Sequence, residues 1–222
     1  MKFTLTSDLH LEFRNTQETI SIADDINNIE AVVNIVAGDV HSNSLIFDYF
    51  TENLVNNCFF VKGNHDYYGN QLSNDVYRLE KDGIKILGCT LWTQMTDHIK
   101  QEFNTYMMDS RKIKHQKSLV DEISTINIHN FELIMDEQPD IVVTHHCPTT
   151  RSIHPMFAKN SANGCFSSDY EKYLKDTKIK YWCFGHTHWR HQYQIGNTRF
   201  LCNPLGYRNE IKEPYFPITF EI

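Results

Sequence analysis

No run in this sequence is apolar for long enough to cross a bilayer, and the region after Met1 turns polar by Thr6-Ser7-Asp8, too early for a secretory signal. The expectation is a cytoplasmic protein that does not enter a membrane. A basic stripe is also lacking. The net charge is −7, and the densest basic cluster, Arg111-Lys112-Ile113-Lys114-His115, suits the solvated face of a helix. A long nucleic acid is therefore not an expected partner, because nonspecific affinity for one comes from Lys and Arg neutralising phosphates. The six cysteines (Cys58, Cys89, Cys147, Cys165, Cys183 and Cys202) form no CxxC pair, so free thiols in a reducing compartment are expected. Repeats, linkers and low-complexity tracts are missing too. What remains is 41% hydrophobic and 22% charged, which describes one globular domain over residues 1–222.

Strand-like and helix-like runs alternate along the chain. Lys2–Thr6, Ala31–Val36, Cys58–Val61, Ile84–Leu87, Asp140–Thr144 and Tyr181–Phe184 are short, apolar and often β-branched, the pattern of buried strands. Further strands are expected between Gln192 and Ile222, with turns at Gly196-Asn197 and Pro204-Leu205-Gly206. Helices are expected over Ser44–Asn56, which carries Ile46, Phe47, Phe50 and Leu54 on one face, and over Gln71–Lys81, Arg111–Glu137 and Ser168–Asp176. Asp82-Gly83 reads as the stop signal of the second of these. The alternation indicates an α/β fold.

Polar residues with metal-binding chemistry follow five of the strands: Asp8, Asp39, Asn64, His145 and His186. Ligands of α/β sheets bind beyond the carboxyl ends of strands, so these residues would converge on one place. Within Asp8-Leu9-His10, positions i and i+2 face the same side, and both can reach one divalent ion. Gly38 allows close backbone approach, and the two oxygens of Asp39 suit a bridge between two ions. In Gly63-Asn64-His65-Asp66, Asn64 offers a neutral oxygen ligand, His65 a general acid, and Asp66 a group to orient it. Thr144-His145-His146 supplies His145, leaving His146 to shape the loop or contact substrate. Gly185-His186-Thr187-His188 adds two imidazoles on one face. Taken singly, each motif is common; D-x-H and Gly-Asp are ordinary turn sequences, and the joint occurrence carries the signal.

The order D-x-H, GD, GNHD, H, GH-x-H over Asp8 to His188 resembles the calcineurin-like metallophosphoesterase superfamily. Ser7-Asp8-Leu9-His10-Leu11-Glu12-Phe13, Thr144-His145-His146-Cys147-Pro148 and Asn203-Pro204-Leu205-Gly206-Tyr207 resemble a compact bacterial and phage branch of it. The resemblance implies a four-layer αββα sandwich of two packed mixed sheets flanked by helices. It implies that Asp8, His10, Asp39 and His188 hold one metal ion, and that Asp39, Asn64, His145 and His186 hold a second. Manganese is the first expectation, with iron, zinc, nickel, cobalt and magnesium as alternatives. It also implies a phosphodiesterase or phosphomonoesterase acting on a small substrate, with nucleotides, cyclic nucleotides, phospholipid head groups and phosphoproteins all open, a hydroxide bridging the metals as nucleophile and His65 as general acid.

Substrate selection is expected in Pro148–Phe166, with Arg151, His154, Lys159 and Asn163, although a plain solvent-exposed connection fits equally well. Tyr67, Tyr68 and Trp92 are either an apolar wall or core, and Arg208 is a candidate phosphate contact. A protein serine/threonine phosphatase is the alternative enzyme, but the GD-x-x-DRG motif of those enzymes is absent after Asp39. A repair-type nuclease would need DNA-binding regions for which 222 residues leave little room. A non-catalytic metal-binding interaction module would be expected to have lost ligands, and none is lost here.

Overall fold

A computed structural model describes residues 1–222. In chain order the elements are β1 (Lys2–Thr6), α1 (Thr16–Asn27), β2 (Val33–Ala37), α2 (Ser44–Tyr49, continued by a π turn over Phe50–Leu54) and β3 (Cys58–Val61). Then come β4 (Val76–Lys81), β5 (Ile84–Cys89), α3 (Asp97–Tyr106), α4 (Asp109–Lys112) and α5 (Leu119–Glu137). The chain closes with β6 (Ile141–Thr144), β7 (Tyr181–Phe184), β8 (His191–Ile195), β9 (Thr198–Cys202) and β10 (Ile218–Glu221). No helix is long and apolar enough to cross a membrane.

The strands form two mixed sheets, ordered β10-β1-β2-β3 and β4-β5-β6-β7-β9-β8. β1, β2 and β3 run parallel, as do β5, β6, β7 and β9, so both sheets send their carboxyl ends to one edge. The sheets pack through alternate side chains. Phe3, Leu5, Val33, Ile35 and Val61 of one face Ile86, Ile141, Val143, Cys183 and Leu201 of the other, all of them buried. The outward faces are buried as well: Val36 lies with Ile22, Ile26 and Phe47 of the first helices, and Val142 and Trp182 lie with Phe131 and Ile134 of α5. Strands buried on both faces read as continuous apolar runs, which is why they stood out in the sequence. The four-layer α/β sandwich implied by the resemblance is the architecture found.

Three expected helices differ. Gln71–Lys81 is not a helix, and its second half is β4. Asp82-Gly83 does not stop a helix; it is a two-residue hairpin turn with φ of 51° and 82°, pairing Lys81 with Ile84. Arg111–Glu137 breaks after α4, because Ile113 and Lys114 form bridges to Tyr68 and Gln71. Ser168–Asp176 keeps only a 3-10 turn at Glu171–Tyr173. Two helices had not been anticipated. α1 starts from a reciprocal capping box between Asn15 and Glu18, and α3 from a Thr96 cap on the Ile99 amide.

Ile35 sits fully buried between the sheets, whereas Ile46 on α2 is 41% exposed. Ile35→Ala should lose about 2–5 kcal/mol in urea unfolding, and Ile46→Ala well under half of that. Equal losses would mean that the inter-sheet layer is not the main core.

Candidate metal centre

Where the sheets meet at their carboxyl edge, strand ends deliver side chains to one point. β1 leads to Asp8 and His10, β2 to Asp39, β3 to Asn64, β6 to His145, and β7 to His186 and His188. Asp8, His10, Asp39, His186 and His188 all have positive φ, between 45° and 70°. Non-glycine residues avoid this left-handed region unless their surroundings over-determine it, and such residues gather at functional sites. Here Asp8 N–H donates to Gly38 O at 3.0 Å and His10 N–H to Asp39 O at 3.0 Å, stitching the first loop to the second. Gly38, at φ 85°, leaves no room for a Cβ against the His145 ring.

Donor atoms fall into three overlapping groups, each within 4.8 Å: Asp8, His10 and His188; His10, Asp39 and His65; Asp39, His145 and His186. Asp39 Oδ1 accepts the His65 amide at 2.9 Å. Its Oδ2 lies 3.7 Å from His10 Nε2 and 3.4 Å from His145 Nε2, within reach of both sides. Asn64 Oδ1 is 3.1 Å from His145 Nε2. His188 Nε2 is 3.4 Å from Asp8 Oδ1. All seven expected ligands are therefore brought together.

These residues fit metal ions on several counts. His10 Nε2 and His188 Nε2 face each other at 3.1 Å, and a cation between two lone pairs resolves that contact. Asp8 Oδ2 and His186 Nε2 are buried with no hydrogen-bond partner. The other atom of several ligands is already occupied, as outer partners of metal ligands require. His145 Nδ1 donates to Ala37 O at 2.9 Å, and His188 Nδ1 to Glu210 Oε2 at 2.6 Å. Asn64 Nδ2 donates to Asp109 Oδ1 at 2.8 Å, which turns Asn64 Oδ1 toward the site.

The electrostatics say the same. Burial disfavours charge on His145, but Asp39 and Asp8 outweigh it and raise its pKa to about 9. Burial likewise opposes, and Asp8 and Glu210 together raise, that of His188 to about 10. For Asp39, burial favours the neutral acid, yet the surrounding imidazoles hold its carboxyl well below the usual range. The pocket is a buried anion that attracts positive charge.

Asp66 does not orient His65, contrary to the sequence-based expectation. Its carboxylate accepts four backbone N–H groups: Asp39 and Gly63 on Oδ2 at 2.9 and 2.7 Å, Val40 and His41 on Oδ1 at 2.9 Å each. Burial and the Asp39 charge push its pKa up to about 7 against those donors. Asp66 clamps the Gly63–Asp66 loop to the Asp39 loop. Instead, Glu12 Oε1 lies 3.0 Å from His65 Nδ1 and Tyr207 Oη 3.2 Å from His65 Nε2. Glu12, Tyr207, Asp109 and Glu210 were missed as site residues. Glu12 and Tyr207 lie in the stretches that carry the family resemblance, but Asp109 and Glu210 had no signal.

Other expectations divide. Tyr68 lines the cleft above the centre, together with His154 and Asn163, whereas Tyr67 and Trp92 are buried core. His146 is buried with its ring 4.9 Å from Trp92 and 4.1 Å from His186, supporting that ligand from behind. Arg208 pairs with Glu18, and Arg151 with Glu171 at 2.6 Å; neither reaches the cleft. Arg208 is thus not a phosphate contact here.

A two-sheet sandwich with such a centre on its strand-end edge has the form of a metallophosphoesterase. The pattern of the calcineurin-like phosphoesterase family matches residues 1–190, and the chain belongs to that family. It is a metal-dependent phosphoester hydrolase, and the family uses two metal ions. An uncharacterised protein of Acanthamoeba polyphaga mimivirus is 26% identical, with 68% of this chain and 69% of that protein covered. Among solved structures, the phosphopantetheinyl hydrolase of Mycobacterium tuberculosis is similar at a TM-score of 0.69 and 15% identity, covering 98% of this chain and 95% of that one. A dimetal phosphatase of Danio rerio is similar at a TM-score of 0.55 and 12% identity, covering 99% and 91%. At these identities the two structures speak for the fold.

Asp66→Ala strands four backbone N–H groups, three of them buried, and should cost about 3 kcal/mol or more in stability. His65→Ala should cost about 1 kcal/mol or less. If Asp66→Ala instead melted like the parent and only slowed turnover, an orienting role for Asp66 would return.

Proposed function

We propose that this chain hydrolyses a phosphomonoester or phosphodiester of a small molecule. Asp8, His10, Asp39 and His188 would hold one divalent ion, and Asp39, Asn64, His145 and His186 the other. The observation that carries this reading is the overlap of the donor groups at Asp39, which has one oxygen open to both sides. Imidazole, carboxylate and amide oxygen donors without thiolate suit manganese, our first choice, and also iron, zinc, nickel, cobalt or magnesium. Two such ions, when bound, lower the pKa of a water and neutralise charge on the phosphate oxygens.

The chain's own groups supply the rest. His65 stands on the cleft floor and gives a proton to the departing alkoxide. Burial works against its charged form, but Asp39 and Glu12 prevail and raise its pKa, which favours the imidazolium that can donate. Glu12 remains ionised although partly buried: desolvation opposes its charge, but His10 and His65 outweigh it and lower its pKa to about 2, and it fixes the His65 ring through Nδ1. Tyr207 hydrogen-bonds Nε2 and so sits where the leaving oxygen would arrive. A small-molecule substrate suits an acidic chain whose cleft is not basic, and six free thiols suit a cytoplasmic setting.

Manganese-loaded protein should turn over aryl and alkyl phosphoesters. His65→Ala should keep its metal and lose about 100- to 10,000-fold with alkyl leaving groups. The loss should be smaller with nitrophenyl esters, whose leaving group departs without a proton. Glu12→Gln should show the same bias to a lesser degree, and the double variant should be no slower than His65→Ala. Native alkyl rates in His65→Ala, or equal losses on both ester types, would refute the proton-donor assignment.

A further inference from the structure

The reacting groups occupy only the floor of a larger cleft of about 420 Å³. One wall is Tyr106, Met107 and Met108, at the end of α3 and the start of α4; the other is Ile153, Phe157 and Phe166 from the segment after β6. We infer that this cleft is a subsite for an uncharged, largely apolar leaving group attached to the reacting phosphate. The inference rests on the phosphoesterase reading and names its substrate class.

Charge makes the first argument. Eight of the 18 lining residues are hydrophobic, and none is Lys or Arg. The charged carboxylates are Asp39, on the floor, and Glu210. Lys112 lies over the Tyr68 ring at 5.6 Å but does not line the cleft. A second phosphate held against these walls would shed water and meet Glu210 with no Lys or Arg lining them, a poorly compensated cost. Nucleoside polyphosphates and polynucleotides carry such charges. The substrate therefore keeps its negative charge at the reacting phosphate, where the metal ligands stand.

Apolar surface makes the second. Tyr106, Met108 and Phe157 are 69%, 47% and 50% exposed around the opening. Large side chains gathered at a cleft that leads to reacting groups mark a binding surface, and methionines adapt to chains of varied shape. The walls are held together: Gly164 abuts Ile99 of α3 with no room for a Cβ. The lining Asn160 and Asn163 are neutral and are partly used by their own loop, Asn160 Oδ1 accepting from Ala162 N–H and Asn163 Nδ2 donating to Phe157 O.

Non-hydrolysable n-alkylphosphonates test this by calorimetry on the manganese-loaded chain. From ethyl to hexyl, Kd should fall about two- to fourfold per methylene. Phe157→Ser and Met108→Ser should flatten that slope. In turnover, n-hexyl phosphate should exceed a nucleoside diphosphate in kcat/KM by about tenfold or more, and Met108→Arg should narrow the ratio. A flat series, or preference for the nucleoside diphosphate or an oligonucleotide, overturns the subsite. The two readings separate cleanly. Aryl phosphate turnover with a flat phosphonate series removes the subsite and keeps the enzyme, whereas the expected slope without hydrolysis of any ester keeps the subsite and removes the enzyme.

Discussion

The Asp39 carboxylate is the charge on which the site depends. It is 2% exposed, has one oxygen fixed by the His65 amide, and aims the other between His10 and His145. A carboxylate this far from water is tolerated only beside positive charge or strong donors. Imidazolium can supply that charge, which is why His145 beside it is drawn toward protonation against the cost of its burial. Divalent ions supply it better, and the inward-facing nitrogens with outward-tied partners are arranged for them.

Holding that charge in place takes much of the fold. The parallel strands of both sheets end on one edge, and the packing of one sheet against the other sets the distance between their ligands. Asp8, His10, Asp39 and Asn64 come from the first sheet, while His145, His186 and His188 come from the second. The left-handed backbones of Asp8, His10, Asp39, His186 and His188 are costly singly, and the loop-to-loop hydrogen bonds offset that cost. Asp66 serves the same end through four amides. The C-terminal segment closes the ring, Glu210 reaching His188 and Tyr207 reaching His65.

How much of this was legible depended on the period of the signal. Strands buried on both faces left continuous β-branched runs, and the polar residue after each run marked the site. Cys58–Val61 and Tyr181–Phe184 agree with the observed strands to the residue. The hairpin at Asp82-Gly83 was misread because a two-residue β turn and a helix stop share the same residues. α1 and α3 were invisible because their starts lie in caps, Asn15 with Glu18 and Thr96, and not in a long apolar stripe. The ligands were legible as motifs, but their outer partners were not. Asp109 lies 45 residues from Asn64 and Glu210 lies 22 from His188, separations that no local pattern encodes. Asp66 had a plausible neighbour in His65, and only the three-dimensional path of the Asp39 loop shows where its oxygens go.

Anomalous scattering from crystals soaked with manganese and phosphate tests the central claim most directly. Two peaks about 3.5–4 Å apart are expected, with Asp39 between them and Asp8 and His145 on opposite sides. A single peak, or peaks that leave Asp39 outside the coordination sphere, would contradict the account.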